Sequence, residues 1–307
     1  MVHCAEALAA RVSQGCTRLA VLLKPPVSAG ADLGPLVDDL RACAIALLHV
    51  YRVVPVAAEG LAYRGELQAA CVALLGGLAD LANSSLDKAA QVTLHHVSPY
   101  LFNTGMVWRA AEAFPGLPRD NKGAAVRVWE NRQAMMDDAL GELEVLQATP
   151  QVAVKGEDDE DDDDDDDEEE EEEEEEILLD SERETIKLGI SLVKLVKLLG
   201  RKITLRVVEP MSPPGGNETA IAWLDRLVNA YEESSRQVDE MSVAMYPRHE
   251  QAVIETAAVA LGNVAKDLLD LAATTTAVVQ PVDVEWFAKM RGHLQVGMAK
   301  LVPTFAT

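Results

Sequence analysis

Residues 32–53 read DLGPLVDDLRACAIALLHVYRV, and their spacing decides the fold. Leu33, Leu36, Val37, Leu40, Ala44, Leu47, Leu48 and Tyr51 follow one another at three- and four-residue steps. An α-helix gathers them on one side while Asp38, Asp39 and Arg41 look elsewhere, whereas a strand would scatter the same residues over both faces. Moving outward, Ala, Leu and Val recur at the same spacing on both sides of this segment, broken by Lys24-Pro25-Pro26, Pro55, Asn83-Ser84-Ser85 and Pro115 to Pro118. These breaks predict helices near residues 3–23, 32–53, 61–82, 103–114 and 120–147. No run of alternating β-branched residues bounded by turn signals occurs, so the class is all-α.

The second half repeats the pattern. Ser181 with Glu184 three residues on forms a capping-box signature, and Ile186, Ile190, Val193, Val196, Leu199 and Ile203 define the inward stripe of the helix it opens. A turn over Pro210 to Gly216 follows, then predicted helices near 218–245, 248–273 and 283–301. The expected architecture is two antiparallel helical bundles: five helices over 1–150, a disordered polyacidic linker over 151–180, and four helices over 181–307.

The linker expectation rests on charge. The 307 residues hold 51 Asp+Glu and 27 Lys+Arg for a net charge of -24, yet Glu157 to Glu176 alone is an unbroken run of carboxylates. Without that run the chain is close to neutral, so the acidity belongs to one segment whose like charges repel and which holds no apolar residue to offset ordering. Such a run reads as a solubilising spacer, a weak cation binder or a competitor for basic proteins. Basic positions Lys187, Lys194, Lys197, Arg201, Lys202 and Arg206 form a ridge opposite the apolar stripe of the first helix of the second half, and the acidic run is expected to fold back on Lys194, Lys197 and Arg201. The acidic neighbour and the lack of a stacking platform argue against nucleic acid as a partner.

Several function classes find no support. There is no phosphate-binding glycine loop, nucleophile elbow or His-Glu-x-x-His helix, so neither an enzyme, a cofactor nor a metal is expected. The neighbours His95 and His96 cannot share one helix face, and His249 beside Pro247 is weaker still. Cys4, Cys16, Cys43 and Cys71 match neither a metal knuckle nor a secreted disulfide framework, and read as buried free thiols. No segment reads as a signal core or a membrane span. A soluble monomer, cytoplasmic and nuclear, is expected. Candidate phospho-acceptors are Ser98, Thr149 and Ser212, each before a proline, and Ser181, which follows the acidic run.

One segment is more specific: Gly105-Met106-Val107-Trp108, then Pro115, then Leu117-Pro118-Arg119-Asp120-Asn121-Lys122, then Ala124-Ala125 opening a long helix. It resembles the cyclin-D-binding protein family, also called the GCIP or human-homologue-of-Maid family. The resemblance extends to Tyr51, Pro55 and Gly60-Leu61, and in the second half to Met245-Tyr246-Pro247. It implies an all-helical, two-domain, non-enzymatic regulator that binds D-type cyclins and helix-loop-helix transcription factors and restrains cell-cycle progression in cytoplasm and nucleus. On the matched motifs, Trp108, Arg119, Lys122 and Tyr246 are the candidate partner-binding residues. Each motif also has a structural reading: Asp120 or Asn121 caps the following helix, Trp108 packs across the bundle, and Tyr246-Pro247 marks a helix boundary. No leucine heptad is sustained, since the step from Leu188 and Leu195 lands on Lys202, so grooves on globular bundles are favoured over a zipper. An acidic chaperone for histones or other basic proteins, and a helical-bundle scaffold, are the alternative functions.

Overall fold

Breaks at proline, glycine and polar clusters divide the chain into helices of about the expected lengths. The computed structural model describes residues 2–23, 32–86, 99–148, 178, 180–212, 217–246, 250–274 and 281–302. In order, the helices are α1 (Val2–Leu22), α2 (Gly34–Val53), the single turn α3 (Val56–Glu59), α4 (Leu61–Leu86), α5 (Pro99–Glu112), α6 (Asn121–Ala148), α7 (Asp180–Ile203), α8 (Glu218–Ala244), α9 (Gln251–Ala273) and α10 (Pro281–Leu301). A 3-10 turn covers Phe114–Gly116, and α7 runs on into a π-helical turn over Thr204–Val208. No strand occurs among the described residues, in agreement with the all-α expectation. The polyacidic run, His95, His96 and His249 lie outside the described residues.

The apolar stripe of α2 is narrower than its periodicity suggests. Leu40, Cys43 and Leu47 are buried and Leu33, Leu36 and Tyr51 pack partly against the core, while Val37 and Leu48 at the edges of the stripe are exposed. In α7 all six inward positions, Ile186 through Ile203, are buried. The capping box at its start does not form. Helix α7 begins at Asp180, which places Ser181 inside the first turn, and Glu184 binds Lys187 at 3.1 Å one turn along instead of reaching back. Asp180 and Glu182 put negative charge on that helix N-terminus, where the dipole favours it.

The chain forms two compact units: Met1–Val128 with Met211–Val228, and Trp129–Pro210 with Asn229–Thr307. These bounds cut across the split expected at 150 and 181, because α6 and α8 each divide between the units. In the first unit α1 packs on α2 and α5, and α4 packs on α2 and α5, which closes a ring of four long helices. Its centre holds Val12, Cys16, Leu47, Leu74, Leu81, Val107 and Phe114, all fully buried. Burial of each large side chain of this kind contributes ~1.5–3 kcal/mol. Helix α4 corrects one expectation, since Leu61–Ser85 is long and apolar enough by length and composition to cross a membrane. Here one face of it packs into the core, with Tyr63, Leu67, Cys71, Leu74 and Leu81 buried.

In the second unit α10 packs on α7 and α9, and α7 also meets α9. The later part of α6 is held to α7 by side chains. Lys194 pairs with Glu144 at 2.7 Å, Lys197 with Asp137, and Arg183 donates to the Gln147 carbonyl at 3.0 Å. The Trp129 indole donates to the Gly200 carbonyl at 3.2 Å and stacks on Tyr231, with ring centres 4.0 Å apart and planes 7° from parallel. This stacked pair ties the part of α6 that starts at Trp129 to α7 and α8 within the second unit.

Candidate functional site

The motif that carried the family resemblance sits in the first unit, and its backbone is fixed from three sides. The Phe114 side chain is buried below the 3-10 turn, and the Arg127 guanidinium binds the Gly116 carbonyl and the Glu66 carboxylate, the latter at 3.1 Å. Asp120 accepts from the Gly123 amide at 2.8 Å and so caps α6, as the sequence suggested for Asp120 or Asn121. Asn121 does something else. Its side chain is buried, accepts from the Tyr63 amide at 3.1 Å, and donates to one oxygen of Asp225 at 2.9 Å. The other Asp225 oxygen accepts from the Leu61 amide at 2.8 Å. Two side chains from distant parts of the sequence thereby satisfy amides of the first turn of α4 that have no partner within the helix, and the Asp225 carboxylate lies where the helix dipole favours it.

Gly60 makes room for this clasp. Its φ of 88° is a conformation that L side chains rarely adopt, and a Cβ there would lie 2.0 Å from the Asn121 side-chain carbon. The sequence does not single out Asp225, since one carboxylate on an amphipathic helix carries no mark of its distant partner.

Helix α5 presents the surface that such a rigid frame holds out. Val107, Ala110 and Ala111 are buried, and Asn103 ties the helix to α4 by donating to the Asp80 carbonyl at 3.0 Å and to the Ser84 hydroxyl at 3.1 Å. On the outer side, Leu101, Phe102, Met106 and Trp108 are 46%, 64%, 44% and 40% exposed. At about 100° per residue these four, with Gly105 and Arg109 between them, span about 160° of the helix circumference. Four large apolar side chains on one face, two of them aromatic and one a methionine, have the composition of a protein-binding surface. The Trp108 indole donates to the Thr17 hydroxyl of α1 at 3.0 Å, which fixes the ring on the surface instead of across the bundle core.

The other sequence candidates are spread out. Arg119 is exposed in the turn before α6, and Lys122 is half-buried in the first turn of α6, so both share the first unit with Trp108. Tyr246 belongs to the second unit and is exposed just past the end of α8. Ser181 and Ser212 are exposed, while Ser98 and Thr149 lie outside the described residues. Among the thiols, burial pushes Cys16 up to about 11 and raises Cys71 and Cys43. Cys4 corrects the expectation of four buried cysteines, because it is exposed.

The basic ridge of α7 is largely neutralised within the second unit. Lys187 pairs with Glu184, Lys194 with Glu144, Lys197 with Asp137, and Arg206 with the buried Asp283 at 3.2 Å. Of the three residues on which the acidic run was expected to fold back, Lys194 and Lys197 are paired with carboxylates of the fold, while Arg201 is exposed and in no ion pair among the described residues. Nowhere among the described residues do three or more His, Cys, Asp or Glu side chains come together as a metal site would require.

A helical scaffold, clamped backbone and outward apolar face define a protein built to present surfaces between and along helices. The chain belongs to the Grap2 and cyclin-D-interacting family: the profile of its N-terminal part matches residues 6–149 and that of its C-terminal part residues 160–270. The resemblance read from residues 105–125 is therefore confirmed over both halves. The chain is similar to the cyclin-D1-binding protein 1 homolog of Danio rerio, 28% identical over 291 residues that cover 94% of this chain and 82% of that protein. It is also similar to the homolog of Xenopus laevis, 27% identical over 84% of this chain and 75% of that protein, and to cyclin-D1-binding protein 1 of Homo sapiens, 23% identical over 90% and 76%.

Proposed function

We propose that this protein is a non-enzymatic regulator that binds a D-type cyclin through the outer face of α5 and restrains cell-cycle progression by occupying its partner. The observation that carries the reading is the apolar face of Leu101, Phe102, Met106 and Trp108, held out by a family-typical motif whose backbone is clamped beneath it. Relatives matched across most of this chain carry cyclin D1 binding in their names, which supports the choice of partner. Helix-loop-helix transcription factors are a second partner class that the same resemblance suggests. The protein acts as a monomer in the cytoplasm and nucleus.

The test is surface plasmon resonance with a recombinant D-type cyclin at low and high salt. The chains compared are the intact protein, a deletion of Glu157 to Glu176, and Phe102→Asp with Met106→Asp. Truncating or charging central apolar anchors typically costs ~2 kcal/mol or more, so the double variant should bind at least about tenfold more weakly. The deletion should bind like the intact chain at high salt, where exposed charges are screened. Binding that depends on the acidic run alone and vanishes in salt would replace this reading with the acidic chaperone. Cyclin binding untouched by the double variant would remove α5 as the interface.

A further inference from the structure

Within the second unit, two ion pairs join α6 to α7, Glu144 with Lys194 and Asp137 with Lys197, and none follows beyond Lys197 among the described residues. Beyond that point α7 passes into its π-helical turn, marked by the Glu209 amide donating to the Thr204 carbonyl at 2.8 Å. Single π turns are frequent at functional sites. Here the two helices leave between them a groove of about 440 Å³. That volume falls in the range of ~300–1,000 Å³ typical of sites that hold ligands.

The groove has an ordered floor and two unlike walls. Trp129 forms the floor, fixed by its stack on Tyr231, and Leu205 adds an apolar side chain that is 44% exposed. On the α6 wall stands Glu130 and on the α7 wall Arg201, both exposed and neither in an ion pair among the described residues. Between them Gln133 accepts from the Tyr231 hydroxyl at 3.0 Å, while its amide nitrogen is buried with no hydrogen-bond partner among the described residues. A buried donor left in this way is costly unless a ligand or solvent acceptor meets it. The α6 wall runs from Glu130 to Asp137, about 10 Å at 1.5 Å per residue, which matches two turns of a docked helix.

We infer that this groove docks a short amphipathic helix of a partner protein whose apolar stripe is flanked by an acidic residue on one side and a basic residue on the other. The apolar stripe covers Leu205 and the edge of Trp129, the acidic flank meets Arg201, and the basic flank meets Glu130. Charge complementarity of the two walls selects this occupant over a helix flanked by one sign, because either uniform flank meets repulsion on one wall. The inference goes beyond the α5 face to a second surface; it rests on the reading of the chain as an interaction protein, but not on which protein is bound.

The experiment uses one probe, a fluorescein-labelled 16-residue helical peptide with leucines at i, i+3, i+4 and i+7, glutamates along one flank and lysines along the other. Its binding is followed by fluorescence anisotropy against the full-length chain, Arg201→Glu, Glu130→Lys and the double reversal. All four chains carry the same acidic run, so its attraction for the lysines cancels in the comparison. Each single reversal should weaken binding by about fivefold, as expected when a partly exposed ion pair becomes a repulsion. The double reversal should restore it, since the peptide then docks with its chain direction reversed. Binding that is absent from the intact chain, indifferent to both single reversals, or not recovered by the double reversal overturns the inference. Cyclin capture by the same four chains keeps the two proposals apart. A failed charge swap with intact capture sinks the groove alone, and absent capture with the charge-swap pattern in place sinks the cyclin reading alone.

Discussion

The clasp at the start of α4 can be turned inside out without losing a hydrogen bond. In the native chain Asn121 accepts from Tyr63 N–H and donates to Asp225, and Asp225 accepts from Leu61 N–H. Asp225→Asn alone puts an amide NH2 where two donors, the Leu61 amide and the Asn121 amide, both need an acceptor. One donor is left facing a donor, and loss of a bond to a charged acceptor with an unsatisfied buried group costs ~2–4 kcal/mol. Asn121→Asp alone sets two buried carboxylates against each other across a 2.9 Å contact. One of them must take a proton, and protonating an ordinary carboxyl at pH 7 costs up to ~4 kcal/mol.

The double variant carrying both changes recovers every contact. The carboxylate now at position 121 accepts from Tyr63 N–H, and the amide now at position 225 donates back to that carboxylate. The carbonyl oxygen of the same amide accepts from Leu61 N–H, with one negative charge still at the α4 N-terminus. Urea unfolding of the four chains at pH 7 should therefore show two destabilised single variants and a double variant within ~1 kcal/mol of native, a coupling well above the few tenths expected of independent sites. At pH 4 the Asn121→Asp deficit should shrink, because the required proton is then nearly free. A double variant as unstable as the sum of the singles would refute the assigned donor and acceptor pattern.

Three further outcomes rest on the same kind of geometry. Gly200→Ala places a methyl 2.3 Å from the Tyr231 ring, which the Trp129 stack and the Gln133 hydrogen bond hold in place, so despite better helix propensity it should lower stability by ~1–2 kcal/mol. Thermal unfolding unchanged by that substitution would show the stack to be loose. Burial raises the Asp239 carboxyl above its ordinary value, Arg132 opposing the shift and Glu142 adding to it, so the folded chain holds this proton where the unfolded chain has already released it. Stability from this group is full below the unfolded value and is lost as pH rises toward and past the folded one; Asp239→Asn should add a few tenths of a kcal/mol at pH 7, after discount for solvent screening, and nothing below pH ~3.5. An equal gain at both pH values, read by urea unfolding, would contradict the burial argument. Iodoacetamide at pH 8 should modify Cys4 alone in the folded protein and all four cysteines in urea, counted by intact mass; native labelling of Cys16, whose thiol burial holds near 11, would mean that the α1–α2 packing opens readily.

Periodicity reports which side of a helix faces inward, and on that score α7 was legible to the residue: every position from Ile186 to Ile203 assigned to its stripe is buried. It does not report what stands opposite. Helix α6 was visible as one long helix, but nothing local reveals that Trp129 finds Gly200, 71 positions away, or that the helix divides between two units after its first two turns. The adjacent pair Asp120 and Asn121 makes the limit concrete. As sequence the two are equivalent caps, both short, both with an acceptor oxygen. One residue along a helix turns the side chain by about 100°, so only one of them faces its own first-turn amides while the next faces the interior. Asp120 takes the local role, where its carboxylate stays at the surface. The inward position falls to the neutral amide, because an acceptor for Tyr63 and a donor for Asp225 are needed at once and a carboxylate supplies only the first. Chemistry therefore separates the two residues only after the distant carboxylate is known, which is why the cap was readable in the sequence and the clasp was not.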